Sequence, residues 1–120
     1  MVTITDIQNI CQGLPSVTQD IKWEDHLCFN VGRKMFLITS PDQFPVTASF
    51  KTTSYDFLRL TKLEGFIPAP YLARHQWVAV DDIRRLTITQ WSEYLVNSYE
   101  LVTAKFSIKL QRKLGIQLII

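Results

Sequence analysis

Gly65-Phe66-Ile67-Pro68-Ala69-Pro70-Tyr71-Leu72-Ala73-Arg74-His75-Gln76-Trp77-Val78-Ala79-Val80 is the stretch that decides how this chain is laid out. Pro68 and Pro70 lack a backbone donor, and each holds the residue before it in an extended conformation. Ile67 and Ala69 are therefore excluded from helix. A helix before this stretch must stop near Gly65, and none restarts before Tyr71. Trp77-Val78-Ala79-Val80 is a short apolar run of strand formers. The stretch reads as a helix end, a rigid extended crossing and a buried strand. It carries no evident catalytic group.

Upstream of the crossing, the pattern changes from helical to alternating. Thr5 and Gln8 have capping-box spacing. Ile4, Ile7, Ile10, Cys11 and Leu14 recur at helical intervals until Gly13 and Pro15 intervene, which predicts a helix over residues 4 to 12. Val17, Gln19, Ile21 and Trp23 then alternate with Thr18, Asp20 and Lys22. Glu24-Asp25 suits a turn. Leu27, Phe29 and Val31 alternate again. Gly32-Arg33 suits a type II′ hairpin leading to the return strand Met35-Phe36-Leu37-Ile38. Ser40 to Pro45 is a turn by composition, and Val46, Ala48 and Phe50 point inward on a fourth strand. Thr53 or Ser54 caps a short helix through about Leu63.

Downstream, Thr87 and Gln90 form a second capping-box pair. Ile88, Trp91, Tyr94, Leu95, Leu101 and Val102 stripe the longest helix, expected to run through about Lys105. Ser107 caps a last helix ending at Gly115. The tail Ile116 to Ile120 is apolar enough to tuck onto the core or to serve as a self-association strip. The links between the first four strands are too short for parallel crossovers. The predicted fold is α+β: an antiparallel sheet of about five strands with helices packed on one face, in the order α-β-β-β-β-α-β-α-α, as one domain over residues 1–120.

Composition narrows the function classes. A 47% hydrophobic and 20% charged chain of 120 residues can bury a core without staples, which argues against disorder. No apolar run approaches the ~20 residues a bilayer span needs, so no membrane association is expected. The N-terminus lacks the basic region and apolar core of a signal peptide. Cys11 and Cys28 show no metal spacing and read as buried free thiols of a cytoplasmic protein. A net charge of +2 is modest for a nucleic-acid binder, so the placement of the charges must carry that reading.

Several motifs in order resemble the MmcQ/YjbR-like family. They are Leu14-Pro15; Trp23; Phe29-Asn30-Val31-Gly32-Arg33-Lys34-Met35-Phe36; Ser49-Phe50-Lys51; Gly65 to Tyr71 followed by Trp77-Val78; and Ser98-Tyr99-Glu100-Leu101-Val102. Ser107 departs from the pattern, since many relatives carry a proline there. The resemblance implies a small α+β domain likened to a double-wing DNA-binding fold and to a secretion-chaperone-like fold. It implies DNA binding and no enzymatic chemistry.

The residues allow this reading without compelling it. Lys105, Lys109, Arg112 and Lys113 have the spacing of one helical face. Arg33 and Lys34 lie at a hairpin tip, Lys51 ends a strand, and Arg74 follows the Pro loop. Converged, these eight would contact DNA phosphates; dispersed, they are a solvated surface. Trp23, Phe29, Phe36, Phe50, Trp77 and Trp91 are expected in the core. Pro68, Pro70, Tyr71, His75 and Tyr99 are candidates for lining a cleft. That cleft, or the open sheet face, would receive a peptide or a second copy in the alternative reading, a protein-interaction module or homodimer. A third reading places a small molecule there, with Arg74 or His75 as anion anchor. No nucleophile elbow, P-loop or dinucleotide fingerprint occurs, so no catalytic residue and no cofactor is assigned. His26 and His75 stand apart from any ligand set, so no metal site is expected. Asp81-Asp82 and Glu24-Asp25 are neighbours that diverge in extended chain, which does not suit paired acid–base work.

Overall fold

The computed structural model describes residues 1–116. Six strands form one antiparallel sheet: β1 (Val17–Lys22), β2 (His26–Val31), β3 (Lys34–Ser40), β4 (Thr47–Lys51), β5 (Phe66–Pro68) and β6 (Trp77–Val80). Their spatial order is β1-β2-β3-β4-β6-β5. The four helices are α1 (Ile4–Gln12), α2 (Ser54–Leu60), α3 (Ile88–Thr103) and α4 (Ile108–Lys113). Single 3-10 turns occupy Ala73–His75 and Ile83–Arg85. The class is α+β, as expected.

The sixth strand comes from the deciding stretch. Phe66, Ile67 and Pro68 do more than cross the molecule; they pair with Val80, Ala79 and Val78 as an edge strand. Proline is tolerated at an edge because its missing donor faces no partner. The turn after it is sharp. Tyr71 and Gln76 both adopt positive φ, at 66° and 62°. Ala69 N–H donates to the Trp77 carbonyl at 2.9 Å, closing the reversal. Trp77 is buried, so the crossing delivers the chain into a central strand.

Side-chain alternation divides the sheet into two faces. Leu27, Phe29, Leu37, Ala48, Phe50, Phe66, Val78 and Val80 meet Ile7, Cys11, Leu60, Trp91, Leu95 and Tyr99 from the helices in the main core. Phe50 packs edge-on against Trp91, with ring centroids 5.3 Å apart. Trp91 also donates its indole N–H to the Ile83 carbonyl at 2.8 Å, so the largest core side chain leaves no polar atom orphaned. The other face carries a smaller cluster of Cys28, Ile38, Ala69 and Trp77, with no helix over it among the described residues.

Local departures from the predicted pattern have physical reasons. Thr3, rather than Thr5, caps α1, in a reciprocal box with Asp6. Gly32 and Arg33 both have positive φ, 55° and 68°, which makes the hairpin type I′ rather than II′. Trp23 is not core: it sits in the β1–β2 turn at φ 51° and is 62% exposed. Edge strand β1 is covered only near Val17, so Ile21 also reaches solvent. A register shift between Phe29 and Asn30 leaves Phe36 unpaired on β3 and turns it into the core. The tail beyond Ile116 lies outside the described residues.

Candidate nucleic-acid interface

Local structure brings the β2–β3 hairpin tip and α4, which carry Arg33 and Lys113, to one cavity. The tight turn at Gly32-Arg33 lays the β2–β3 tip against the turn between α3 and α4. A Cβ on Gly32 would lie 2.7 Å from Phe106 Cε2 and 3.2 Å from Leu114 Cδ1. On the same side, the Ser16 hydroxyl donates to the Leu114 carbonyl at 2.5 Å and ties the start of β1 to the end of α4. Between hairpin and helix lies a cavity of about 800 Å³, which Lys22, Arg33 and Lys113 line together with Asp20 and Asn30. Asp20 accepts from Lys22 and from Asn30, and those two donors hold its carboxyl below the usual range.

Lys34 follows Arg33 at the tip, paired across to Val31. Lys109 and Arg112 share α4 with Lys113. Lys105 does not: Ser107 caps α4, so Lys105 lies in the preceding turn and the predicted single face of four cations is broken there. Lys105 nonetheless stays in the group. Burial and, second, the like charge of Lys105 pull Lys51 below its ordinary pKa. The Lys51 ammonium donates to the His75 carbonyl at 2.7 Å, which brings the Ala73–His75 turn with exposed Arg74 to the same region.

Ion pairing separates these cations from four of the other five; Lys62, beyond α2, is likewise without an ion pair among the described residues. Lys22, Arg59, Arg84 and Arg85 pair with Asp20, Asp56, Asp82 and Asp81. Among the described residues, Arg33, Lys34, Lys51, Arg74, Lys105, Lys109, Arg112 and Lys113 make no ion pair. Two neutralised arginines, Arg84 and Arg85, occupy the β6–α3 connection and a third, Arg59, lies on α2, whereas the unpaired Arg33 and Lys113 line one cavity between hairpin tip and α4.

The predicted cleft set divides. Pro70 and Tyr71 border a concavity on the open sheet face, and Tyr71 is fully exposed. Pro68 ends β5, and His75 is exposed at the end of its turn. Tyr99 belongs elsewhere: it is buried on α3, edge-on to Phe36, and its hydroxyl donates to the Pro15 carbonyl at 2.7 Å. Tyr99 shares its helical face with Leu95 and Val102, and the cavity it borders, with Leu14 and Pro15, is separate from that of Pro70 and Tyr71.

Sequence reasoning missed Ser98. It is fully buried, donates to the Phe36 carbonyl at 2.6 Å and accepts from the Lys51 N–H at 3.1 Å. The hydroxyl thus bridges β3 to β4 just past their last paired residues, Leu37 and Phe50. A small hydroxyl residue beside Tyr99 in an otherwise apolar helix stripe was the available signal. Cys28, two residues from His26 on β2, is a buried thiol. Cys28 Sγ lies 3.8 Å from the His26 carbonyl, and burial pushes the thiol up. Among the described residues, no group of acidic, histidine or cysteine side chains has metal-binding geometry. No helix there is long and apolar enough to cross a membrane.

These features define a class: an α+β domain whose six-stranded antiparallel sheet is covered by helices on one face. The YjbR family model matches residues 12–101. The chain is similar to the Deinococcus radiodurans protein DR2400, a DUF419 domain, at 27% identity. The TM-score is 0.87, over 98% of this chain and 91% of that one. A Pseudomonas syringae protein shares the fold at 16% identity and TM-score 0.66, over 84% of this chain and 98% of that one. No curated protein matches. The family match spans well over half the sequence, and the chain belongs to the YjbR family.

Proposed function

We propose that this YjbR-family chain is a non-enzymatic DNA-binding protein that engages the phosphate backbone. The reading is supported by one observation: Arg33 of the β2–β3 tip and Lys113 of α4, both without carboxylate partners among the described residues, line one cavity, with the unpaired Lys34, Lys109 and Arg112 on the same two elements. Unpaired ammonium and guanidinium groups are the ones free to release counterions from a duplex. The hairpin tip acts as a wing beside a short helix, in keeping with a double-wing mode of binding. The two free, buried thiols suit a reducing, cytoplasmic setting.

Charge reversal at Arg33 and Lys113 tests this directly. In fluorescence anisotropy with a labelled random-sequence duplex, Arg33→Glu/Lys113→Glu should weaken binding at least ~10-fold, the effect of setting like charges against phosphate. Lys62→Glu, beyond α2 near the β5 edge, should leave binding within about 2-fold of the parent, since an isolated distant charge is screened. Equal effects at both positions, or no binding by the parent at low salt, would refute the assignment.

A further inference from the structure

We propose that the uncovered sheet face holds a second, separate site, for a flat uncharged heteroaromatic molecule with a polar edge. The site is a concavity of about 600 Å³, within the range of small-molecule pockets. Its walls come from two turns. Trp23 projects from the β1–β2 turn and Tyr71 from the turn after β5, both with positive φ. Such backbone is restrictive for bulky side chains, so both aromatics are presented by constrained turns rather than by loose loops. Their exposure, 62% and 100%, is uncommon for rings of this size.

The floor sets the chemistry. Ile38 provides apolar surface, and beside it Ser40 pairs with Thr47 while Ile38 pairs with Ser49 across β3 and β4. The hydroxyls of Ser40, Thr47 and Ser49 therefore lie on one face in adjoining rows. None hydrogen-bonds to a group among the described residues, and none is sealed from solvent. No Lys, Arg, Asp or Glu lines the cavity; its one basic lining residue is His26, whose Nδ1 lies 2.7 Å from the Asp25 carboxylate and whose ring stands edge-on to Trp23. With His26 already engaged by Asp25, a charged ligand would find no free counter-charge in the lining. An aliphatic ligand would leave three hydroxyls unanswered. A planar ring flanked by Trp23 and Tyr71, with donors and acceptors along its edge, satisfies both requirements.

Lumichrome, a neutral planar heteroaromatic with intrinsic fluorescence, serves as the probe. Titration should show one site per chain with Kd on the order of 100 µM, the affinity that ligand efficiency gives for about 18 non-hydrogen atoms. Tryptophan emission should be quenched through the exposed Trp23. Trp23→Ala and Ser49→Val should each weaken binding at least ~5-fold, because each removes one element of the site. Arg33→Glu/Lys113→Glu should bind the probe as the parent does. Circular dichroism establishes folding, and two variants on different elements guard against the loss of one. No saturable binding up to millimolar probe, or equal binding by Trp23→Ala and Ser49→Val, overturns the proposal. So does probe affinity that falls as protein concentration rises, the behaviour of a face filled by a second copy.

Discussion

Replacing Gly32 by alanine should damage this protein more than its surface position suggests. Two costs add. The backbone is left-handed at φ +55°, which disfavours a Cβ by about 1 kcal/mol net of the lower entropy of unfolded alanine. The new methyl also stands 2.7 Å from Phe106 Cε2 and 3.2 Å from Leu114 Cδ1, so hairpin or helix must shift, which costs about 1–3 kcal/mol. The sum is about 2–4 kcal/mol. For 120 residues the unfolding entropy is about 0.25 kcal/mol/K, so Tm should fall by about 8–16 °C in a calorimetric scan. Gly115 is the control. Its φ is +73°, but an added Cβ meets nothing described within 4 Å, so Gly115→Ala carries the backbone cost alone, about 4 °C. A Gly32→Ala shift no larger than that of Gly115→Ala would refute the close packing of hairpin tip on α4.

Other substitutions probe the remaining joints. Ser98→Ala removes the hydroxyl that serves Phe36 and Lys51, and should cost about 1–3 kcal/mol in urea unfolding with an unchanged m-value. Tyr99→Phe leaves the Pro15 carbonyl without its donor and should cost about 1 kcal/mol, with no effect on DNA affinity. Burial pushes the Cys11 thiol up to about 12, so the folded state keeps its proton where the unfolded chain, near 9, loses it. Stability should therefore fall as pH rises from about 9 toward 12, by up to about 1.4 kcal/mol per unit from this group. Cys11→Ala should flatten that decline in alkaline urea titrations, and parallel curves would contradict it. Cys28, raised by the same cause, should resist iodoacetamide at neutral pH until the protein is unfolded.

The fold was legible where the signal was periodic or stereochemical. Pro68 and Pro70 ended helix unambiguously, and the alternation through β2, β3 and β4 gave strands and inward residues together. Alternation could not say which inward positions lacked a covering layer. Trp23 and Ile21 obey the pattern of β1 yet are exposed, because α1 and α3 do not extend over that edge. A three-residue paired segment with a proline is too short to read as a strand, which concealed β5. The candidate interface was partly legible. Arg33, Lys34 and the α4 cations were visible as a pattern, but their neighbours were not. Ion pairs with Asp81 and Asp82 neutralise Arg85 and Arg84, and only the three-dimensional arrangement separates those arginines from Arg33 and Lys113. Tyr99 was grouped with the Pro loop because an amphipathic ring signals neither its helical phase nor its partner; it borders a different cavity, beside Pro15.

The salt dependence of duplex binding tests the central claim most directly. If three or four of the gathered cations meet phosphates, a plot of log Kobs against log salt concentration should be linear with a slope of about −3 to −4. A slope near zero, or no measurable binding at the lowest salt, would contradict the account.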